Sequence, residues 1–233
     1  LTERHIPVGH TPGVLVDTTA DAAFALLLAA ARRVVEGDRF IREGHWRPDS
    51  RWSLEFFLGK DVSGATLGII GLGAIGQAVA RRAVGFDMRV IGWTPSGRAV
   101  PGVENVSLEE LLLRSDFVSV HLALTSATRN LLDAVKIAIM KPGAVLVNTA
   151  RGGIVNEVDL FEALKSGKVA AAAFDVFEKE PPENHPLLTL DNFIATPHLG
   201  ASTLEAQENV ATAVAEQIVD YLIAGTVRNA VNV

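Results

Sequence analysis

Arg151, Glu180 and His198 each stand a few residues beyond a Val/Ile/Ala-rich run, in the segments NTARGG, FDVFEKEPP and TPHLGAST. Open α/β sheets collect their ligands at such strand ends, so the three side chains are expected to converge on one crevice. Together they suit a 2-ketoacid and its hydroxyacid. An arginine grips a carboxylate with two parallel N–H donors, while a histidine near neutral pKa gives or takes the proton at the carbonyl oxygen as hydride moves. A glutamate beside that imidazole orients it and favours its charged form. Taken singly, such an arginine is as readily a surface ion pair and such a histidine a structural residue, so the joint placement carries the reading. His5, His10, His45 and His185 fall outside the constellation and read as structural or solvated. His121 ends another run close to the crevice, without an evident proton-transfer partner.

The cofactor for such a hydride transfer is signalled by GLGAIG, which supplies Gly71, Gly73 and Gly76 after a short apolar run. The first glycine permits a tight turn, the second lets the backbone approach a pyrophosphate, and the third lets the next helix pack on the sheet. The pyrophosphate then sits at a helix N-terminus, where free N–H groups and the helix dipole favour negative charge. The end of the following run, in RVIGWTPSGRAV, ordinarily carries an acid that accepts from the ribose hydroxyls of NAD. Thr94 stands there, with Ser96 and Arg98 close behind. Hydroxyls and a guanidinium hold a 2′-phosphate that a carboxylate would repel, which favours NADP over NAD. The alternative is a solvated Arg98 and NAD bound with less discrimination.

These residues need a parallel sheet to position them. Candidate strands at residues 66–71, 89–93, 116–122, 144–150, 169–177 and 192–198 alternate with candidate helices at 75–84, 108–114, 130–140 and 158–166, the last stopped by Gly167. That alternation is the mark of βαβ units, hence an α/β fold with a doubly wound parallel sheet. A chain of 233 residues with mixed charges and a net charge of −6 offers no phosphate-backbone face, so nucleic acid is not an expected partner. The absence of cysteine excludes disulfides, thiol catalysis and Cys-ligated metal, no metal site is expected, and a reducing cytoplasm is compatible. The run AAFALLLAAA is far shorter than the ~20 residues that span a bilayer, and reads as part of a buried helix at about residues 19–37.

The quoted motifs, with TLGIIGLGAIGQAVARRAVGFDMRVIGW, MKPGAVLVNTARGGIVNE and HPLLTLDNFIATPHLGAST, resemble successive signatures of the D-isomer-specific 2-hydroxyacid dehydrogenase family along almost the entire chain. The resemblance implies a catalytic set of Arg151 for the substrate carboxylate, His198 as acid/base and Glu180 as its partner. It implies that Asp175 contacts the nicotinamide carboxamide and that Ala74 and Ile75 line the pyrophosphate turn. Thr149, Ala150 and Gly200 would line the nicotinamide side, and Leu122 would lie in the cofactor-facing loop. In that loop VHLAL departs from the family pattern, with Ala123 where proline is common. Within the family the chain is most similar to the glyoxylate and hydroxypyruvate reductases that use NADPH. Phosphoglycerate dehydrogenases, the alternative, usually carry aspartate where Thr94 stands.

The resemblance also implies a division into residues 1–17 as a remnant of a flavodoxin-like substrate domain, 18–202 as the Rossmann dinucleotide-binding domain, and 203–233 as a return helix and tail. HIPVGHTPG reads as the remnant's last strand, and the chain reads as N-terminally truncated. A cytoplasmic homodimer through residues 19–57, which include Trp46, Trp52, Phe56 and Phe57, is the expected assembly. A reading of another class is a cofactor-binding, dimerising fragment that turns nothing over.

Overall fold

The computed structural model describes residues 1–48 and 55–232. Among them, seven strands form one all-parallel sheet: β1 (Thr66–Ile70), β2 (Arg89–Trp93), β3 (Glu104–Asn105), β4 (Phe117–Val120), β5 (Ala144–Asn148), β6 (Val169–Phe174) and β7 (Phe193–Ala195). Their spatial order is β3-β2-β1-β4-β5-β6-β7. The reversal of order falls at β1, whose neighbours are β2 and β4, and this is where doubly wound sheets open a crevice. Seven helices accompany the strands: α1 (Val16–Ala31), α2 (Val34–Arg42), α3 (Ala74–Val84), α4 (Leu108–Arg114), α5 (Ala134–Ile139), α6 (Glu157–Lys165) and α7 (Leu204–Ala224).

The strands read as continuous apolar runs because both faces of the sheet are covered. Successive side chains point to opposite faces. Leu67, Ile69, Phe117, Val145 and Val147 pack under α1 and α3, whereas Ile70, Val118, Val120 and Leu146 pack under α4, α5 and α6. Side chains cap four helix N-termini: Ser107 on α4, Asp133 on α5, Asn156 on α6 and Thr203 on α7. The N-terminus of α3 has no side-chain cap, so its first N–H groups are left for a ligand.

Three expectations need correction, and one strand was not expected. The helix expected over residues 19–37 is broken, because Arg33 turns left-handed at φ 53° between α1 and α2. The Lys60 N–H donates to the Ala31 carbonyl at 2.7 Å, competing for the acceptor that would continue the helix. The Arg33 guanidinium meanwhile binds Glu36 and lies over the Phe57 ring. The helix expected from 130 begins only at Ala134, since Leu132 is drawn into a parallel bridge with Val155 and the Asn130 N–H donates to the Gly153 carbonyl. The strand expected in HIPVGHTPG is a single antiparallel bridge, Gly9 with Ala230, flanked by the Val8 N–H on Asn232 Oδ1 and the Val231 N–H on the Val8 carbonyl. Strand β3 was not expected: two exposed polar residues carry no hydrophobic signal.

Gly71 adopts φ 103°, and a Cβ there would lie 2.5 Å from the His121 carbonyl oxygen. At Gly76 a Cβ would lie 2.0 Å from the carbonyl oxygen of Gly71, so α3 can pack this close only without a side chain. Gly76→Ala is therefore expected to cost about 1–3 kcal/mol by forcing α3 off the turn. Chemical denaturation tests this, and a midpoint equal to the parent's would contradict it.

Candidate active site

The site is assembled around the end of β6. Asp175 follows that strand and is almost fully buried. Its Oδ1 accepts the Thr196 hydroxyl at 2.5 Å and the Leu199 N–H at 2.7 Å, and its Oδ2 accepts the Gly200 N–H at 2.7 Å. Three donors of residues 196–200 thus converge on one carboxylate. Its main-chain carbonyl also accepts the His198 N–H at 3.0 Å. This wrap holds His198 in the left-handed region at φ 55°, which a residue with a Cβ adopts only when its surroundings fix it.

Glu180 reaches the same histidine from the loop after β6. Its Oε1 accepts the Phe177 N–H at 3.0 Å, and its Oε2 pairs with His198 Nδ1 at 2.9 Å. With Nδ1 committed to a carboxylate, Nε2 is the nitrogen left for proton transfer. Burial works against ionisation of the Glu180 carboxyl, but the His198 hydrogen bond, the Phe177 N–H and the charges of His198 and Arg151 outweigh it and hold its pKa below the usual carboxylate range. The side chains of His198 and Glu180 are 50% and 38% exposed, so the pair by itself contributes only about 0–1 kcal/mol. Its geometry must come from the segments that carry it.

Arg151 stands on the turn after β5. That turn is fixed by the buried Asn148, whose amide donates to the Arg151 carbonyl while its oxygen accepts the Ala150 N–H, both at 3.0 Å. The exposed guanidinium donates to the Ala150 carbonyl at 2.6 Å.

A crevice of about 650 Å³ brings together Ile75, Leu122, Thr149, Ala150, Arg151, Asp175, His198 and Gly200. Glu180 is not on its wall; it lines, with Phe177, Pro181 and Leu188, a neighbouring cavity of about 550 Å³ that shares Asp175 and His198. Gly71, Gly73, Ala74 and Gly76 form the turn from β1 into α3, and the space above Gly73 is open. Thr94, Ser96 and Arg98 stand apart from the crevice wall, beyond the end of β2. There the Gly97 N–H closes a turn on the Thr94 carbonyl, and the Asn105 amide of β3 donates to the Arg98 carbonyl at 3.1 Å. Arg98 is exposed and makes no ion pair among the described residues.

Several crevice residues lay outside the sequence reading. Leu15 and Thr19, at the start of α1, also line the crevice. Thr196 and Asn148 act through other residues, and their signal is a polar side chain closing an apolar strand run. His121 pairs through Nε2 with the buried Ser119 hydroxyl at 2.8 Å. Its Nδ1 and the Thr149 hydroxyl are enclosed polar atoms without a partner among the described residues, both on the crevice wall. Unpaired polar atoms and an uncapped helix N-terminus beside an open glycine turn fit a dinucleotide laid along this crevice.

Residues 24–200 match the family model described as D-isomer specific 2-hydroxyacid dehydrogenase, NAD binding domain. The chain belongs to this family. A relative, the glyoxylate reductase of Korarchaeum cryptofilum, is 49% identical over 94% of this chain and 67% of its own length. The D-3-phosphoglycerate dehydrogenase of Methanocaldococcus jannaschii is 45% identical over 99% of this chain and 44% of its own length. Among solved structures, the TT0316 protein from Thermus thermophilus superposes with a TM-score of 0.90 at 45% identity, covering 98% of this chain and 72% of that one. The acyclic imino acid reductase Bsp5, solved with NADPH and D-Arg, gives a TM-score of 0.89 at 32% identity, covering 99% and 73%. Among the described residues no helix is long and apolar enough to cross a membrane.

Burial pushes the His121 imidazole down to about 4 from an ordinary 6.5. A histidine that stays neutral in the fold but protonates near 6.5 when unfolded stabilises the fold fully above 6.5, and that contribution drains away as pH falls toward 4. Proton NMR should find His121 neutral at pH 5.5, and His121→Gln should flatten the acid limb of the stability curve. A His121 midpoint near 6.5 would overturn this.

Proposed function

We propose that the chain carries the cofactor-binding and proton-transfer half of a reductase that converts small 2-ketoacids such as glyoxylate or hydroxypyruvate into 2-hydroxyacids, with NADPH as the preferred reductant. The observation that carries the proposal is the His198–Glu180 pair at 2.9 Å beside a crevice that also holds Arg151. When bound, the nicotinamide supplies the hydride. Arg151 grips the substrate carboxylate, which aims the carbonyl carbon at the cofactor. His198 donates the Nε2 proton to the carbonyl oxygen as the C=O bond opens, and Glu180 stabilises the imidazolium that precedes this transfer. Asp175, Thr149, Ala150 and Gly200 line the nicotinamide side, while Gly71, Gly73, Ala74, Ile75 and Gly76 cradle the pyrophosphate, with Leu122 beside them.

The preference for NADP rests on the turn after β2, where Thr94, Ser96 and the unpaired Arg98 offer hydroxyls and a cation and no carboxylate. A homodimer through residues 19–57 is supported by the exposed Val34, Ile41 and Trp46 and by the ring cluster of Phe40, Phe56 and Phe57. Trp52 lies outside the described residues. We place the enzyme in the cytoplasm, in keeping with its lack of cysteine. In this reading residues 1–17 and 203–233 border a substrate domain, and residues 18–202 are the dinucleotide-binding domain. The identity to a D-3-phosphoglycerate dehydrogenase favours a second substrate, 3-phosphoglycerate with NAD, against which Thr94 counts.

Absorbance at 340 nm tests the proposal. Glyoxylate or hydroxypyruvate should drive NADPH oxidation, and His198→Ala should lower kcat by roughly 10²- to 10⁴-fold with NADPH affinity retained. NADPH binding without oxidation would overturn the catalytic reading in favour of a binding module. Thr94→Asp should shift the kcat/KM ratio toward NADH, and an unchanged ratio would show that the turn after β2 does not read the 2′-phosphate.

A further inference from the structure

We infer that Glu157 and His185 form a second carboxylate–histidine pair whose task is to position Glu180, an inference that rests on reading Glu180 and His198 as the acid/base pair. Glu157 opens α6, and its side chain is nine-tenths buried, an unusual place for an acid whose favourable field at a helix N-terminus is available without burial. Both oxygens are used on the loop that carries Glu180. Oε1 accepts the Glu178 N–H at 2.8 Å, and Oε2 pairs with His185 Nε2 at 2.9 Å. The tautomer of His185 follows from its other nitrogen, since Nδ1 accepts the Leu187 N–H at 3.3 Å and Nε2 must therefore carry the proton and donate. The His185 ring also stands edge-on to Phe177, at 5.5 Å between centroids.

One carboxylate thus pins the loop on both sides of Glu180, at Glu178 and at His185. Phe177, packed on His185, supplies the N–H that fixes Glu180 Oε1, which leaves Oε2 aimed at His198. The solvent-screened His198–Glu180 contact cannot hold this geometry alone, and the ion pair of the neighbouring Glu178 with Arg129 is itself exposed. Glu157 and His185 line neither the crevice nor the cavity beside it, so they are positioning residues that act through Glu180.

The test uses the whole chain and three variants: Glu157→Gln, His185→Ala and His185→Gln. Glutamine at 157 keeps one acceptor oxygen and turns the other into an NH2 donor, so it cannot accept from both the Glu178 N–H and His185 Nε2. Alanine at 185 removes the donor, whereas glutamine at 185 places an N–H near the position of Nε2. In carbon-13 carboxyl NMR the Glu180 midpoint should lie below the ordinary glutamate value in the parent, rise toward it in E157Q and H185A, and stay low in H185Q. With glyoxylate and NADPH, kcat should fall roughly tenfold or more in E157Q and H185A, with the Kd for NADPH changed less than about twofold, and recover mostly in H185Q. The retained Kd reports that the variants are folded. A Glu180 midpoint and a kcat unchanged in both E157Q and H185A would overturn the inference. A midpoint that rises in E157Q and H185A while the parent turns nothing over would support the positioning role and refute the acid/base reading, so the two failures are distinct.

Discussion

A carboxylate taken out of water must find donors, and most of this site follows from how Asp175 finds them. Its two oxygens gather a hydroxyl and two backbone N–H groups from the short stretch after β7, and that demand curls the stretch tightly enough to place His198 in a conformation it would not adopt unaided. The curl is possible because β6 and β7 are neighbouring parallel strands whose carboxyl ends emerge side by side, Phe174 opposite Ala195. Sheet order therefore sets which two loops meet, and one buried charge sets how they meet.

The polar groups of the site divide by burial. Asn148 and Asp175 are enclosed and fully engaged, and Glu157 is nearly so, and each fixes a turn. Arg151 and His198 are the open members, the first donating to the Ala150 carbonyl and the second paired with Glu180. Such a division suits groups that must exchange water for a ligand: the framework is desolvated once, during folding, and the reacting side chains stay in contact with water until a partner arrives.

Much of this was legible in the sequence because its signals are local. The bounds of β2 and α4 coincide with the segments that announce them, and α6 stops before Gly167 as that glycine suggests. Of the three side chains expected on one crevice, Arg151 and His198 line it and Glu180 lines the cavity next to it, because strand-end position is a one-dimensional property that a parallel sheet converts into proximity. What escaped was decided by tertiary partners. Nothing near Arg33 marks a break, since the group that interrupts the helix is the amide of Lys60. The delayed start of α5 depends on Leu132 meeting Val155. Likewise Glu157 looks like an ordinary first-turn acid, and His185, read as structural or solvated, gains its partner only when the loop folds back to join them.

The antiparallel bridge between Gly9 and Ala230, with its flanking bonds at Val8 and Asn232, has a mechanical meaning. It fastens residues 8–10, before α1, to residues 229–232, after α7, as a small clasp. Tension applied between these two segments would meet this small clasp first, peeling its hydrogen bonds one after another before it loaded the ladders of the seven-stranded sheet.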